Sequence, residues 1–306
     1  MANIVVIGSL NMDLVIETEK VPKIGETVLG KSLHNICGGK GGNQATAAAK
    51  QGADVSMIGC VGEDSYGDIL RETLKQSGVN VDGVFREEHT SSGVAVITVE
   101  NGDNSIIVIS GANSCMDISY INRCKDILKN ADIILLQLEI PIETVEYVVK
   151  YARSIGVKTI LNPAPAYKLR DKVFENVDYF IPNETECEFY TGIKIETVQD
   201  AMQCIKTLNE KKILHPIITL GENGVVYGDG EEILHIPARK VDVVDTTAAG
   251  DSFIAAFAVA IVEGKTMTEA VCFASAVASI TVTRMGAQTS IPTRNEAEIV
   301  FASWKK

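Results

Sequence analysis

The sequence predicts an α/β fold in which a mostly parallel central sheet carries helices on both faces, with a small β-sheet lid beside it. Three observations lead there. Short runs of β-branched and aliphatic residues alternate with helical periodicity along most of the 306 residues. Those runs are apolar throughout, as strands covered by helices on either side must be. Two further segments, each a pair of strand-like runs with no helix between them, interrupt the alternation.

In chain order, strands of the main sheet are expected at residues 4–7, 55–58, 133–138, 159–161, 179–181 and 217–220. Helices are expected at 43–51, 66–76, 142–154, 198–210, 250–262 and 267–283, where apolar residues recur with the spacing of one helix face. The first interruption pairs 14–18 with 26–30 across Pro and Gly; the second pairs 93–99 with 105–109 across Asn101-Gly102-Asp103. These runs are either edge strands of the main sheet or a separate small sheet. Their placement in two distant segments, with no helix inside either, supports a lid drawn from about 12–36 and 92–111 within a single domain, 1–306. Ligands of such folds collect at the carboxyl ends of the strands, where a lid would keep out water. No internal repeat, low-complexity tract or linker divides the chain.

Composition narrows the function classes. A net charge of −12 and a pI near 4.9 argue against nucleic acid or any other polyanion as partner. A bound phosphate would have to be held locally, by backbone amides, a few basic side chains or a metal. The seven cysteines are scattered with no Cys-x-x-Cys pair, a pattern of buried thiols in a reducing compartment. No apolar run is long enough to span a bilayer, and the first strand begins too early for a signal peptide, so the expectation is a cytoplasmic protein without membrane contact.

The most informative segment is Val244-Asp245-Thr246-Thr247-Ala248-Ala249-Gly250-Asp251-Ser252-Phe253. Small residues entering a helix leave its first N–H groups bare and aimed at one point, a site for an anion. Asp251 beside such a site either caps the helix or takes a proton from an attacking hydroxyl. Gly38-Gly39-Lys40-Gly41-Gly42-Asn43 lacks Walker spacing, and its glycines permit close approach of backbone to a ligand or simply make a turn. Gly8-Ser9-Leu10-Asn11-Met12-Asp13 lacks the dinucleotide fingerprint, which disfavours an NAD enzyme. If extended, Asn11 and Asp13 project the same way toward adjacent hydroxyls; otherwise they cap a turn. Glu139 follows the apolar run 133–138 and faces either the ligand crevice or a surface loop. Asn162-Pro163-Ala164-Pro165 makes a stiff turn that requires no chemistry. In Asn183-Glu184-Thr185-Glu186, Thr185 reads as a helix cap and Glu186 as a carboxylate open to a hard cation. Thr219-Leu220-Gly221-Glu222-Asn223-Gly224 offers backbone amides to a nucleotide, and 284–290 offers carbonyls and hydroxyls to a monovalent cation, though each also fits an ordinary loop.

The order of these motifs resembles the ribokinase-like family of carbohydrate kinases, essentially from end to end. The segments at 162–165, 183–186 and 284–288 resemble the members that phosphorylate ribose. The resemblance implies transfer of the γ-phosphoryl of ATP to O5 of D-ribose, with Mg²⁺ and K⁺ as cofactors and a homodimer clasped through the lid. By position, Asp251 would be the base, and the amides of Ala248, Ala249 and Gly250 would stabilise the transferring phosphoryl group. Asn11, Asp13, Gly39, Lys40, Gly41, Asn43 and Glu139 would hold the sugar, with Asp251 also touching it. Asn183, Glu186, Thr219, Gly221, Gly224 and Gly250 would lie at the nucleotide, Glu186 acting on Mg²⁺ indirectly. Asp245, Thr247, Thr281, Arg284, Gly286 and Ser290 would surround K⁺, several through backbone oxygens. Gly42 stands where the family commonly has alanine, and Thr247 where isoleucine is frequent. A 2-deoxyribose or nucleoside kinase is the nearest alternative, and a catalytically silent sugar-binding regulator a more distant one.

Overall fold

Alternate residues of the central strands enter different cores in this computed structural model, which describes residues 1–100 and 103–304. In chain order the strands are β1 (Asn3–Ile7), β2 (Asn11–Thr18), β3 (Gly30–Gly38), β4 (Asp54–Gly62), β5 (Val79–Glu87), β6 (Gly93–Glu100) and β7 (Asp103–Ile109). They continue with β8 (Ile133–Leu136), β9 (Lys158–Leu161), β10 (Tyr179–Phe180), β11 (His215–Thr219), β12 (Val225–Asp229) and β13 (Glu232–Ile236). The α-helices are α1 (Lys40–Lys50), α2 (Ser65–Gln76), α3 (Ile118–Arg123), α4 (Lys125–Lys129), α5 (Ile142–Ile155) and α6 (Asp171–Phe174). After them come α7 (Glu184–Thr191), α8 (Val198–Glu210), α9 (Ala249–Val262), α10 (Met267–Thr281) and α11 (Arg294–Trp304).

The main sheet has the order β13-β12-β11-β10-β9-β8-β1-β4-β5, and its pairings are parallel except for β11 with β12 and β12 with β13. Strand β1 shows why it is layered. Ile4 and Val6 enter a core with α1, α9 and α10, while Val5 and Ile7 enter a second core with α5 and α8. Both faces are therefore dry, as the continuous apolar runs predicted. Helix α9 is apolar nearly all round and buries ten residues, Asp251 to Ala260, so it packs as a central rod and not as an amphipathic cover.

The remaining strands form a separate four-stranded sheet, β3-β2-β6-β7, in which β2 pairs antiparallel with β3 and parallel with β6. Of the two possibilities for these segments, the second sheet is the one realised. The expected strand at 26–30 is displaced: residues 26–29 are irregular, and β2 pairs instead with β3 at Gly30–Gly38. Strand β3 reads KSLHNIC at its centre and is mostly exposed, so burial never forced an apolar pattern onto it. The Asn101-Gly102 part of the expected hairpin turn lies outside the described residues. Strands β5, β12 and β13 were not expected. The first and last are edge strands of the main sheet with polar or half-exposed positions, which weakens the apolar run that marks a covered strand.

Candidate active site

Functional side chains collect where consecutive parallel strands end. The order reverses at β1, which pairs with β4 on one side and β8 on the other, so the carboxyl end of β1 opens onto a crevice. Ser9 and Leu10 follow β1, Gln137 and Glu139 follow β8, Asn162 follows β9, Asn183 follows β10 and Thr219 ends β11. Glu139 is thus in the crevice and not on a surface loop. It accepts a very short hydrogen bond from the Ser9 hydroxyl and a longer one from the Lys40 amide at 3.3 Å.

Asn11 and Asp13 sit at alternate positions of β2 and share a face, as expected for extended chain. Two glycines make room for them. Asn11 lies opposite both Gly38 on β3 and Gly93 on β6. A Cβ at Gly38 would come 2.2 Å from an Asp13 carboxylate oxygen, and one at Gly93 would come 2.2 Å from Asn11 Oδ1. Asn11 Oδ1 accepts from Asn113 Nδ2 at 2.7 Å, which turns the Asn11 amide nitrogen outward as a donor. The Asp13 carboxylate is buried yet accepts no hydrogen bond among the described residues. Burial, reinforced by the negative charges of Glu139 and Asp251 and partly opposed by Lys40, raises its pKa to about 7.

Helix α1 starts at the glycine loop. Gly39 is its N-cap with φ 82, a left-handed conformation that also puts its α-carbon against the backbone of Ser9 and Asn11. Gly41 is packed as tightly: its Cβ would lie 2.7 Å from the Gly8 carbonyl carbon and Ser9 nitrogen. The glycines therefore bring the α1 terminus onto the β1 loop, and the Walker-like appearance has no phosphate-loop geometry behind it. Burial alone would lower the Lys40 pKa, but Asp251, Glu139, Glu186 and Asp13 together hold it above its ordinary value. Lys40 is thus a fixed cation among four carboxylates.

Asp251 is in the first turn of α9 and does not cap it; the cap position is Ala248, in the left-handed region at φ 61. That conformation is strained for a residue with a Cβ, and such strain concentrates at functional sites. Among the described residues, the N–H groups of Ala248, Gly250 and Asp251 have no acceptor, while Ala249 N–H reaches Thr246 O at 3.2 Å. The bare amides of the expected anion hole are accordingly those of 248, 250 and 251 more than that of Ala249. The Asp251 carboxylate accepts from Asn43 Nδ2 at 2.9 Å on one oxygen and from Gln44 Nε2 at 3.0 Å on the other. Asn43 Oδ1 is left buried with no partner among the described residues.

A cavity of about 180 Å³ connects Asp251, Lys40 and Gly250 to Asn183, Glu186 and Thr219. The cap of α7 is Asn183, not Thr185: its side chain accepts from Glu186 N at 2.9 Å, and Glu186 accepts in return from Asn183 N at 2.9 Å. Glu186 is buried, which raises its pKa against the pull of the Asn183 amide and Lys40. Asn183 and Thr219 form a bridge between neighbouring strand ends. Gly221 and Gly224 lie in the turn beyond, both with positive φ, outside the cavity lining. At Gly224 the reason is local, since a Cβ would meet Ile236 O at 2.1 Å.

The loop before α9 meets the loop after α10. Asp245 accepts from Thr247 N at 2.9 Å and Thr247 Oγ1 at 2.6 Å on one oxygen, and from Gly286 N at 2.9 Å on the other. Burial works against the Asp245 charge, but these donors outweigh it and lower its pKa. The side chains of the other expected cation ligands turn away: Thr281 hydroxyl bonds Val277 O and Ser252 Oγ, Arg284 pairs with Glu296, and Ser290 Oγ bonds Ala287 O. Those three residues are left with carbonyl oxygens to offer. Lys50, at the far end of α1, donates to Gln288 O at 2.7 Å and Ile291 O at 2.9 Å, and Gln51 donates to Pro292 O at 2.8 Å. Residues to which the sequence assigned no ligand role are Ser9, Gln44, Asn113, Gln137 and Asn162. Each is a buried polar residue inside an apolar or glycine-rich run, where only the assembled crevice shows its partner.

Tight glycine packing at the start of α1, a buried carboxylate in the first turn of α9 next to unpartnered helix amides, and a cavity along the strand ends make up the candidate site. The profile of the pfkB family of carbohydrate kinases matches residues 1–294, and the chain belongs to that family. The ribokinase of Bacillus subtilis (strain 168) is 44% identical over 301 residues, 97% of this chain and 99% of that one. The deoxyribokinase of Salmonella typhi is 39% identical over 292 residues, 95% of each chain. The structure of Arabidopsis thaliana ribokinase complexed with ribose and ATP superimposes with a TM-score of 0.91 at 35% identity, covering 98% of this chain and 99% of that one.

Proposed function

We propose that this chain transfers the γ-phosphoryl group of ATP to O5 of D-ribose, giving D-ribose 5-phosphate and ADP. Full-length similarity to ribokinases supports the reaction. The observation that carries the residue assignment is Asp251, a buried carboxylate clamped by two amides at the N-terminus of α9, beside N–H groups with no partner. In this reading Asp251 takes the proton of the sugar O5 hydroxyl as that oxygen bonds the γ-phosphorus and ADP departs. The free amides of Ala248 and Gly250, aided by Lys40, stabilise charge on the phosphoryl oxygens, with Ala249 N–H held by Thr246 O. Asn11, Asp13, Asn43 and Glu139, with the backbone at Gly39 and Gly41, hold the sugar hydroxyls. Asn183, Glu186, Thr219, Gly221 and Gly224 face the nucleotide.

Among the described residues no three carboxylate, thiol or imidazole side chains could hold a metal by themselves. A magnesium ion here would complete its shell with phosphate oxygens and water, and Glu186 would reach it through water. The donor set around Asp245, one carboxylate with loop carbonyls and no soft ligand, fits potassium; a bound ion would stiffen the loop carrying the anion hole. The four-stranded sheet serves as the lid that excludes water, and its edge as the dimer clasp. None of the helices described is long and apolar enough to cross a membrane, and the free cysteines suit the cytoplasm.

A coupled ATP-consumption assay across ribose, 2-deoxyribose, fructose and nucleosides tests the substrate. Ribose is expected to give the highest kcat/KM; a higher value for 2-deoxyribose, the substrate suggested by the deoxyribokinase relative, would move the assignment to that sugar. Asp251→Asn is expected to keep ribose and ATP binding while kcat falls roughly 10²–10⁴-fold. Near-parent turnover would remove Asp251 as the base.

A further inference from the structure

With Asp251 read as the base, we propose that two buried glutamines, Gln44 and Gln137, are positioning residues that fix the orientation of its carboxylate. Gln44 donates from Nε2 to Asp251 Oδ1 at 3.0 Å. A primary amide has a donor end and an acceptor end, and if this one were turned over its carbonyl would face the carboxylate and repel it. Gln137 prevents that. Its Nε2 donates to Gln44 Oε1 at 2.6 Å, so the acceptor end of Gln44 is held away from Asp251 and the donor end toward it. Gln44 Nε2 also reaches Asn162 Oδ1 at 3.5 Å, and Asn162 is itself oriented by donating to Ile181 O at 3.1 Å. Asn43 holds the second oxygen of Asp251, so both oxygens are clamped.

This arrangement is kept against a cost. Gln44 and Gln137 have no exposed surface, and Gln137 Oε1 is buried with no partner among the described residues. An orphaned amide oxygen of this kind destabilises the fold. The side chain fits only because residue 8 is glycine: a Cβ there would lie 1.9 Å from Gln137 Oε1. A position under selection for stability alone would carry methionine, which has similar length and nothing to satisfy. Among the described residues Gln137 makes no hydrogen bond to Asp251, so its influence on that carboxylate runs through Gln44.

The experiment compares Gln137→Met, Gln137→Glu, Gln44→Met and the Gln44→Met/Gln137→Met double variant with the parent and with Asp251→Asn. Each full-length protein is assayed for kcat, both KM values and thermal stability. Gln137→Met is expected to melt at or above the parent temperature, keep both KM values within about twofold, and lose kcat roughly 10- to 100-fold, the scale set by misplacing a catalytic group. Gln137→Glu, nearly isosteric, is expected to be slow where its carboxyl is ionised and cannot donate, and to recover where the buried carboxyl is protonated and donates to Gln44 Oε1. The double variant should be no slower than Gln44→Met. Parent-like kcat in Gln137→Met, activity lost only in step with melting temperature, or multiplicative losses in the double variant would each overturn the positioning role. If the glutamine variants are fast while Asp251→Asn is inactive, only the positioning role falls; if Asp251→Asn is itself fast, the base assignment falls.

Discussion

Asp13 shows how a single residue can be bad for the fold and good for the site. Its carboxylate is buried without a donor and has a pKa raised to about 7 by burial, with Glu139 and Asp251 adding and Lys40 subtracting. Between the ordinary value of 3.8 and about 7 the folded protein keeps a proton that the unfolded chain has released. Stability therefore falls as pH rises through that window, and the full penalty is present above it. Asp13→Asn is expected to melt higher than the parent at pH 8, by a stabilisation on the order of 2–4 kcal/mol, with the gap narrowing at pH 5. The same variant should bind ribose far more weakly, because an ionised acceptor for its hydroxyls is gone. A gap that is equal at both pH values would show that burial of this charge carries no such penalty. Asn11, Asp13 and Asp251 were legible in the sequence because spacing and a small-residue run marked them. Gln44 and Gln137 were not, since a glutamine in a helix or at a strand end carries no local sign of what it will touch.

Among the elements, legibility followed burial. Strands β1, β8, β9 and β11 are covered on both faces and declared themselves as apolar runs, whereas β3 and β5 have exposed positions and mixed composition. The cation loop is an intermediate case: the Asp245 and Gly286 motifs were readable, but only the fold shows one residue donating its amide to the other. Because that contact joins the approach to α9 with the end of α10, the ion proposed there acts on the anion hole through the Asp245 loop. Replacing K⁺ with Na⁺ at constant ionic strength is expected to lower kcat severalfold with a smaller effect on the KM for ribose. Equal rates in the two salts would dissociate Asp245 and its neighbours from any cation.

For the whole molecule, the four-stranded sheet poses the main question. Strand β7 is its edge, and Ile106, Ile107, Val108 and Ile109 are each at least half exposed, so both faces of an unpaired edge are apolar. An edge of that kind invites another strand or sheet, and a second copy of the chain is the occupant we propose. The Ile107→Lys/Ile109→Lys variant should sediment as a monomer where the parent is a dimer, and its KM for ribose should rise as the lid loses support. A parent that is monomeric at assay concentration would discard the clasp. The two ends of α1 have a different consequence. One end seats Asn43 and Gln44 on Asp251 and the other bolts Lys50 to the carbonyls of Gln288 and Ile291. Gln44 and Lys50 are six helical positions apart, roughly 9 Å, and adding or removing one residue between them would turn one anchor about 100° against the other. The interval from Gln44 to Lys50 is therefore a gauge length: side chains along it can drift, but the count between its two anchorages cannot.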